Sequence, residues 1–112
     1  MNEKPLIFVC SPFGGMVHNM RRAAQHCKTV YEAGGIPYAP HLIFPQFMDE
    51  DKEHRTAALE MNKQMLEKCD AIYIAHDDIV TAGMDVEISY ADSVDLPMIW
   101  SEEDDTAILR GS

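Results

Sequence analysis

Leu6-Ile7-Phe8-Val9-Cys10-Ser11-Pro12-Phe13-Gly14-Gly15 begins with five apolar residues of strand length and ends in a turn-forming cluster. A run without polar alternation suits a strand covered on both faces, as in a parallel sheet. Directly after it the period changes. Between Met16 and Ala33, the residues Met16, Met20, Ala23, Ala24, Cys27, Val30 and Tyr31 share one arc at about 100° per residue, with Arg21, Gln25, Lys28 and Glu32 opposite. Gly34-Gly35 ends the helix where a left-handed residue is wanted.

The alternation continues. Ile36-Pro37-Tyr38-Ala39-Pro40 reads as a short second strand whose two prolines place it at a sheet edge, where missing amide donors cost least. His41 to Asp51 reads as a long loop, of the kind that often carries function. A second helix is expected from about Glu53 to Cys69, then Ala71-Ile72-Tyr73-Ile74-Ala75 as a third strand and a loop from His76 to Ala82. Gly83 to Val94 gives a third helix and Leu96-Pro97-Met98-Ile99-Trp100 a fourth strand. The order βαβαβαβ requires right-handed crossovers and a parallel sheet. Ligands of such sheets bind beyond the carboxyl ends of the strands, where the strand order reverses. Ser11–Gly15, His41–Phe47 and His76–Gly83 are therefore the expected site loops.

The chain has 112 residues, the size of one domain spanning 1–112. With 19 acidic against 9 basic residues its formal charge is −10, which argues against binding a nucleic-acid polymer or an anionic membrane surface. No apolar run approaches the ~20 residues of a membrane span, and Met-Asn-Glu-Lys-Pro is no targeting segment. Cys10, Cys27 and Cys69 lie inside apolar patterns without metal spacing, which reads as reduced, buried thiols in the cytoplasm. No metal cluster or cofactor motif is visible. Eight methionines on so small a domain point to a helix face buried in a homodimer or higher homo-oligomer.

Polar residues on apolar stripes are the functional signal. On the third helix, with Met84 at zero and about 100° per residue, Tyr90, Val94, Ala91, Met84 and Ile88 fill one arc, and Glu87 falls inside it. An unpaired buried carboxylate costs several kcal/mol. Either Glu87 answers a local donor or the helix dipole, or it is a desolvated nucleophile or base at a ligand cleft. On the second helix, Arg55 and Asn62 lie inside the arc of Ala58, Leu59, Met65, Leu66 and Cys69. Arg55 either holds a ligand phosphate or carboxylate, or pairs with an acid such as Glu87, or extends its head to water. The Ser11-Pro12-Phe13-Gly14-Gly15 turn offers amides to an anion, though without phosphate-loop spacing. His41 and His76 sit in site loops, and Asp77 and Asp78 follow the third strand.

These residues resemble the nucleoside 2-deoxyribosyltransferase family and its short phage and bacterial relatives. The likeness is carried by Phe8-Val9-Cys10-Ser11-Pro12-Phe13 before a helix, by Asp70 before an apolar strand, and by Gly83-Met84-Asp85-Val86-Glu87-Ile88-Ser89-Tyr90-Ala91. The resemblance implies a small flavodoxin-like or Rossmann-like three-layer α/β domain with a parallel sheet of four or five strands. It implies a nucleoside or nucleotide as the small-molecule partner and no cofactor. Glu87 would attack the anomeric carbon, release the base and hold a covalent glycosyl intermediate, which a second base or water resolves.

By the same resemblance Ser11, Pro12, Phe13, Gly14 and Gly15 would contact sugar or phosphate and Asp78 the base or sugar. His41, Arg55, Asn62, Thr81, Gly83 and Met84 would complete the pocket. The chain departs from the family pattern at Phe8, where a tyrosine is usual, at Thr81, where an aspartate is usual, and at Asn62, where an acid is usual. Two readings follow: an enzyme acting on an N-glycosidic bond, as transferase or hydrolase, and a non-catalytic nucleotide-binding or sensing module.

Overall fold

A computed structural model describes residues 3–12, 17–49, 51–75 and 80–101. The elements are β1 (Leu6–Cys10), α1 (Val17–Glu32), β2 (Ile36–Tyr38), α2 (Pro40–Ile43), α3 (Lys52–Lys68), β3 (Ala71–Ile74), α4 (Ala82–Ser93) and β4 (Met98–Trp100). The strands form a parallel sheet in the order β2-β1-β3-β4, with β2 at an edge, as suits its Pro37. The chain leaves β1 to one side and returns to its other side, so the order reverses between β1 and β3. The register pairs Ile7 with Ala71 and Val9 with Tyr73, and the ladder runs on through Ala75 N–H to the Cys10 carbonyl at 2.8 Å.

Strand alternation divides the core into two layers. Ile7, Val9, Ala71 and Tyr73 face Val30 of α1, whereas Phe8, Cys10, Ile72 and Ile74 face Leu66 of α3 and Met84 and Ala91 of α4. Each of the large side chains among these is sealed from water, which stabilises the fold by about 1.5–3 kcal/mol apiece. At the foot of the sheet the Asp70 carboxylate accepts the Leu6 amide at 2.7 Å and ties β1 to β3.

Helix ends follow local chemistry. Asp51 caps α3, accepting the His54 amide at 2.8 Å, and Thr81 caps α4, accepting the Met84 amide at 3.2 Å. α1 closes at Gly34, whose φ is 101°, with Gly35 N–H reaching the Val30 carbonyl at 2.9 Å. α4 closes in the same way, with Leu96 N–H on the Ala91 carbonyl at 2.9 Å, but the left-handed residue is Asp95 at φ 58°.

Several boundaries differ from the sequence expectation. The segment expected as a loop from His41 to Asp51 opens with α2 and a 3-10 turn over Phe44–Gln46. Pro40 and Pro45 explain both, because proline suits the first turn of a helix, where no amide donor is needed. For the same reason β2 stops at Tyr38 instead of reaching Pro40. β4 begins at Met98, two residues later than expected. Ala24 and Tyr31, placed on the apolar arc of α1, are exposed. Among the described residues no helix is long and apolar enough to cross a membrane.

Candidate functional site

A cavity of about 380 Å³ opens beside the carboxyl end of β1, between the α2 segment, α3 and the start of α4. Its size falls in the ~300–1,000 Å³ range of small-molecule sites. Asn62, Met84 and Glu87, three of its buried lining residues, form its floor, while the exposed Asp49, Arg55 and Gly83 lie at its rim. Pro40, Phe44 and Met48 supply apolar wall.

Glu87 is held on the floor by α4. Its residue is only 4% exposed, which matches its place on the apolar stripe. Burial disfavours the charged form and pushes its carboxyl up to about 7, although the Cys10 thiol and the Asn62 amide pull the other way. The Asn62 Nδ2 donates to Glu87 Oε2 at 2.7 Å. Asn62 comes from the middle of α3 and is itself 3% exposed, so this bond joins the two helices above the sheet. Neither group is satisfied fully: Glu87 Oε1 and Asn62 Oδ1 have no hydrogen-bond partner among the described residues.

Cys10 is a free, buried cysteine, as its apolar pattern predicts. The structure places it under Glu87, its Sγ 3.9 Å from the Met84 carbonyl. Burial raises its pKa well above the ordinary value, and the neighbouring Glu87 charge raises it further, so it stays a thiol. The same charge contributes, after burial and Cys69, to raising the Tyr38 hydroxyl. Cys10 and Glu87 are far apart in sequence, and only the strand–helix packing brings them together.

The structure gathers Glu87, Asn62, Met84, Gly83, Thr81, His41 and Arg55 around this one cavity. His41, carried on α2, is lowered to about 4 by burial, against the opposing bond to the Ser11 backbone, and is neutral at pH 7. Thr81 spends an oxygen lone pair on its helix cap. Of the alternatives open for Arg55, exposure fits a head that extends to water, and it forms no ion pair with Glu87 among the described residues. It sits in the first turn of α3 and lines the cavity. Ser11 and Pro12 are buried at the end of β1 and are not among the lining residues. Phe13, Gly14, Gly15, His76, Asp77 and Asp78 lie outside the described residues.

Phe44 falls within the expected site loop His41–Phe47 without being singled out, and sequence reading missed Met48, Asp49 and His54 as cavity residues. The Phe44–Phe47 ring contact at 6.0 Å shapes that wall, and two phenylalanines three apart beside Pro45 were the available signal. Ligand atoms of Asp49, Asp51 and His54 lie within 4.8 Å of one another, a spacing that could hold a metal ion. Asp51 and His54 are already engaged with each other at 2.7 Å in the α3 cap, which lowers the Asp51 carboxyl and raises the His54 ring. That pairing accounts for the cluster without an ion.

Among solved structures the chain resembles a 2-deoxyribosyltransferase from the psychrotolerant bacterium Bacillus psychrosaccharolyticus, described as a biocatalyst for nucleoside synthesis. The superposition has a TM-score of 0.66 at 16% identity and covers 85% of this chain and 70% of that one, which relates the two folds. No curated protein sequence matches. A family model matches residues 5–101, nearly all of the described structure, and by that match the chain belongs to the family described as Domain of unknown function (DUF7768).

Proposed function

We propose that the protein cleaves or transfers the N-glycosidic bond of a nucleoside or nucleotide, with Glu87 as the nucleophile. The observation that carries this reading is a carboxyl held on the floor of a ligand-sized cavity and shifted to about 7 by burial. The kinship of fold with a 2-deoxyribosyltransferase supports the choice of substrate.

In the first step an oxygen of ionised Glu87 bonds to the anomeric carbon. The carbon–nitrogen bond breaks, and its electron pair leaves with the base, which takes up a proton. In the second step a water oxygen or the nitrogen of another base bonds to that carbon and loses a proton, and Glu87 leaves as carboxylate. A poorly solvated carboxylate is the better nucleophile, and an apolar-walled cavity limits competing water. Arg55 at the rim is placed for an anionic group of the substrate, and Asp78 is the proposed contact to base or sugar. Because Glu87 must be ionised, the rate is expected to rise with pH and reach half its plateau near 7.

A second reading, a non-catalytic nucleotide-binding module, is favoured by Phe8 and Thr81. Phe8 is wholly buried against Tyr38, with ring centroids 5.7 Å apart, and Thr81 is a helix cap. Neither is placed as an acid. The two readings separate on incubation with a panel of nucleosides and nucleotides, followed by chromatography for free base. Base release that falls by at least ~10³-fold in Glu87→Gln supports the enzyme. Calorimetric binding without turnover, unchanged in that variant, supports the module.

A further inference from the structure

Glu87 and Asn62 are unusual as a pair because each is almost fully buried and each keeps an acceptor oxygen that no described group satisfies. The 2.7 Å bond fixes which oxygens these are. A carboxylate requires a donor opposite, so Asn62 turns Nδ2 toward Glu87 and is left with Oδ1. Oδ1 shares the amide carbon with that donor, so it lies near the Glu87 carboxylate. An unsatisfied buried acceptor is destabilising, and a ligand that brings a donor removes that cost.

Sugar stereochemistry says which donor. In a β-nucleoside the base rises from one face of the ring, and displacement at the anomeric carbon comes from the opposite face. A ribosyl 2′-hydroxyl lies on that opposite face, on the carbon next to the one attacked. The polar group touching the nucleophile is therefore the group that a 2′-hydroxyl meets. The leaving base is on the far side and does not compete for it.

We infer that Asn62 Oδ1 accepts the substrate's 2′-hydroxyl, so that the site selects ribosyl over 2′-deoxyribosyl substrates. This rests on Glu87 being the nucleophile. It runs against the intrinsic chemistry, since an electron-withdrawing 2′-hydroxyl makes the ribosyl bond the harder one to break. A ribosyl preference must then come from the protein. The neighbouring fold belongs to a protein described as a 2-deoxyribosyltransferase, so the inference separates this chain from it.

The test is base release from matched ribosyl, 2′-deoxyribosyl and arabinosyl nucleosides of each common base, with the unaltered protein and with Asn62→Leu. The arabinosyl sugar carries its 2′-hydroxyl on the wrong face. The expected result is a kcat/KM for ribosyl about 10–100-fold above both others, with the ratio to deoxyribosyl falling to one or below in Asn62→Leu. Equal or better use of deoxyribosyl substrates, with release still dependent on Glu87, would overturn the inference and leave the enzyme reading standing. A ribosyl preference that survives Asn62→Leu would also overturn it. If that variant does not fold, the three sugars ranked on the unaltered protein decide. If no substrate releases base, the enzyme reading fails, and the inference that rests on it fails with it.

Discussion

The two faces of the sheet are built from the same strands yet solve different problems. On the α1 face Ile7, Val9, Ala71 and Tyr73 pack under Val30, and the Tyr73 hydroxyl meets His26 Nδ1 at 3.1 Å. On the α3–α4 face Phe8, Cys10, Ile72 and Ile74 alternate with them, but the layer above carries Glu87 and Asn62 with unsatisfied oxygens. Buried polar groups of a native protein are usually paired, so an adjoining pair of unpaired oxygens lining a cavity sets this face apart. Among the described residues the α1 side has no such pair, and Ser11 Oγ at the end of β1 is a lone case. The cavity lies beside the point where strand order reverses.

That contrast breaks most readily through pH. The Glu87 carboxyl is raised from 4.5 to about 7, so between those values the folded state holds more protons than the unfolded chain. Stability from this group is fully present below about 4.5 and is lost as pH rises to about 7. Urea unfolding should show a loss of roughly 2–3 kcal/mol between pH 5 and pH 8 relative to Glu87→Gln, in which the slope from this group is absent. Equal pH slopes in the two proteins would make the α4 face as inert as the α1 face.

The contrast sharpens on converting one face into the other. Asn62→Leu alone removes the donor to a buried carboxylate and is expected to cost about 1–3 kcal/mol. Asn62→Leu combined with Glu87→Met leaves no polar group to satisfy there and should recover that loss or exceed it, as read in a double-mutant cycle by denaturation. Additive single effects would show that the pair is not coupled. The smallest effect lies at the helix ends. α1 closes with Gly34 where α4 closes with Asp95, both in the left-handed region, so Asp95→Gly should stabilise by about 0.5–1 kcal/mol in thermal unfolding.

Much of this was legible in the sequence. Uninterrupted apolar runs, switching to a helical period, gave the parallel α/β sheet, and prolines at 37 and 40 gave the edge. Glu87 and Asn62 stood out because their angular positions contradict their polarity, and both are buried. Arg55 shared that angular position but is exposed, because a helical wheel treats every turn as equally covered and the first turn of α3 is exposed or half-buried throughout. α2 escaped because four residues are too few to show a period. Cys10 against Glu87 escaped because local patterns carry no information on contacts between distant segments.

Glu87 is a carboxyl kept out of water on a cavity floor. Carbon NMR of glutamate-labelled protein follows the side-chain carboxyl through a pH titration, with the resonance assigned by its loss in Glu87→Gln. A midpoint near 7 is expected. A midpoint at the ordinary value of about 4.5 would mean that Glu87 meets solvent freely, and it would contradict both the buried site and the chemistry built on it.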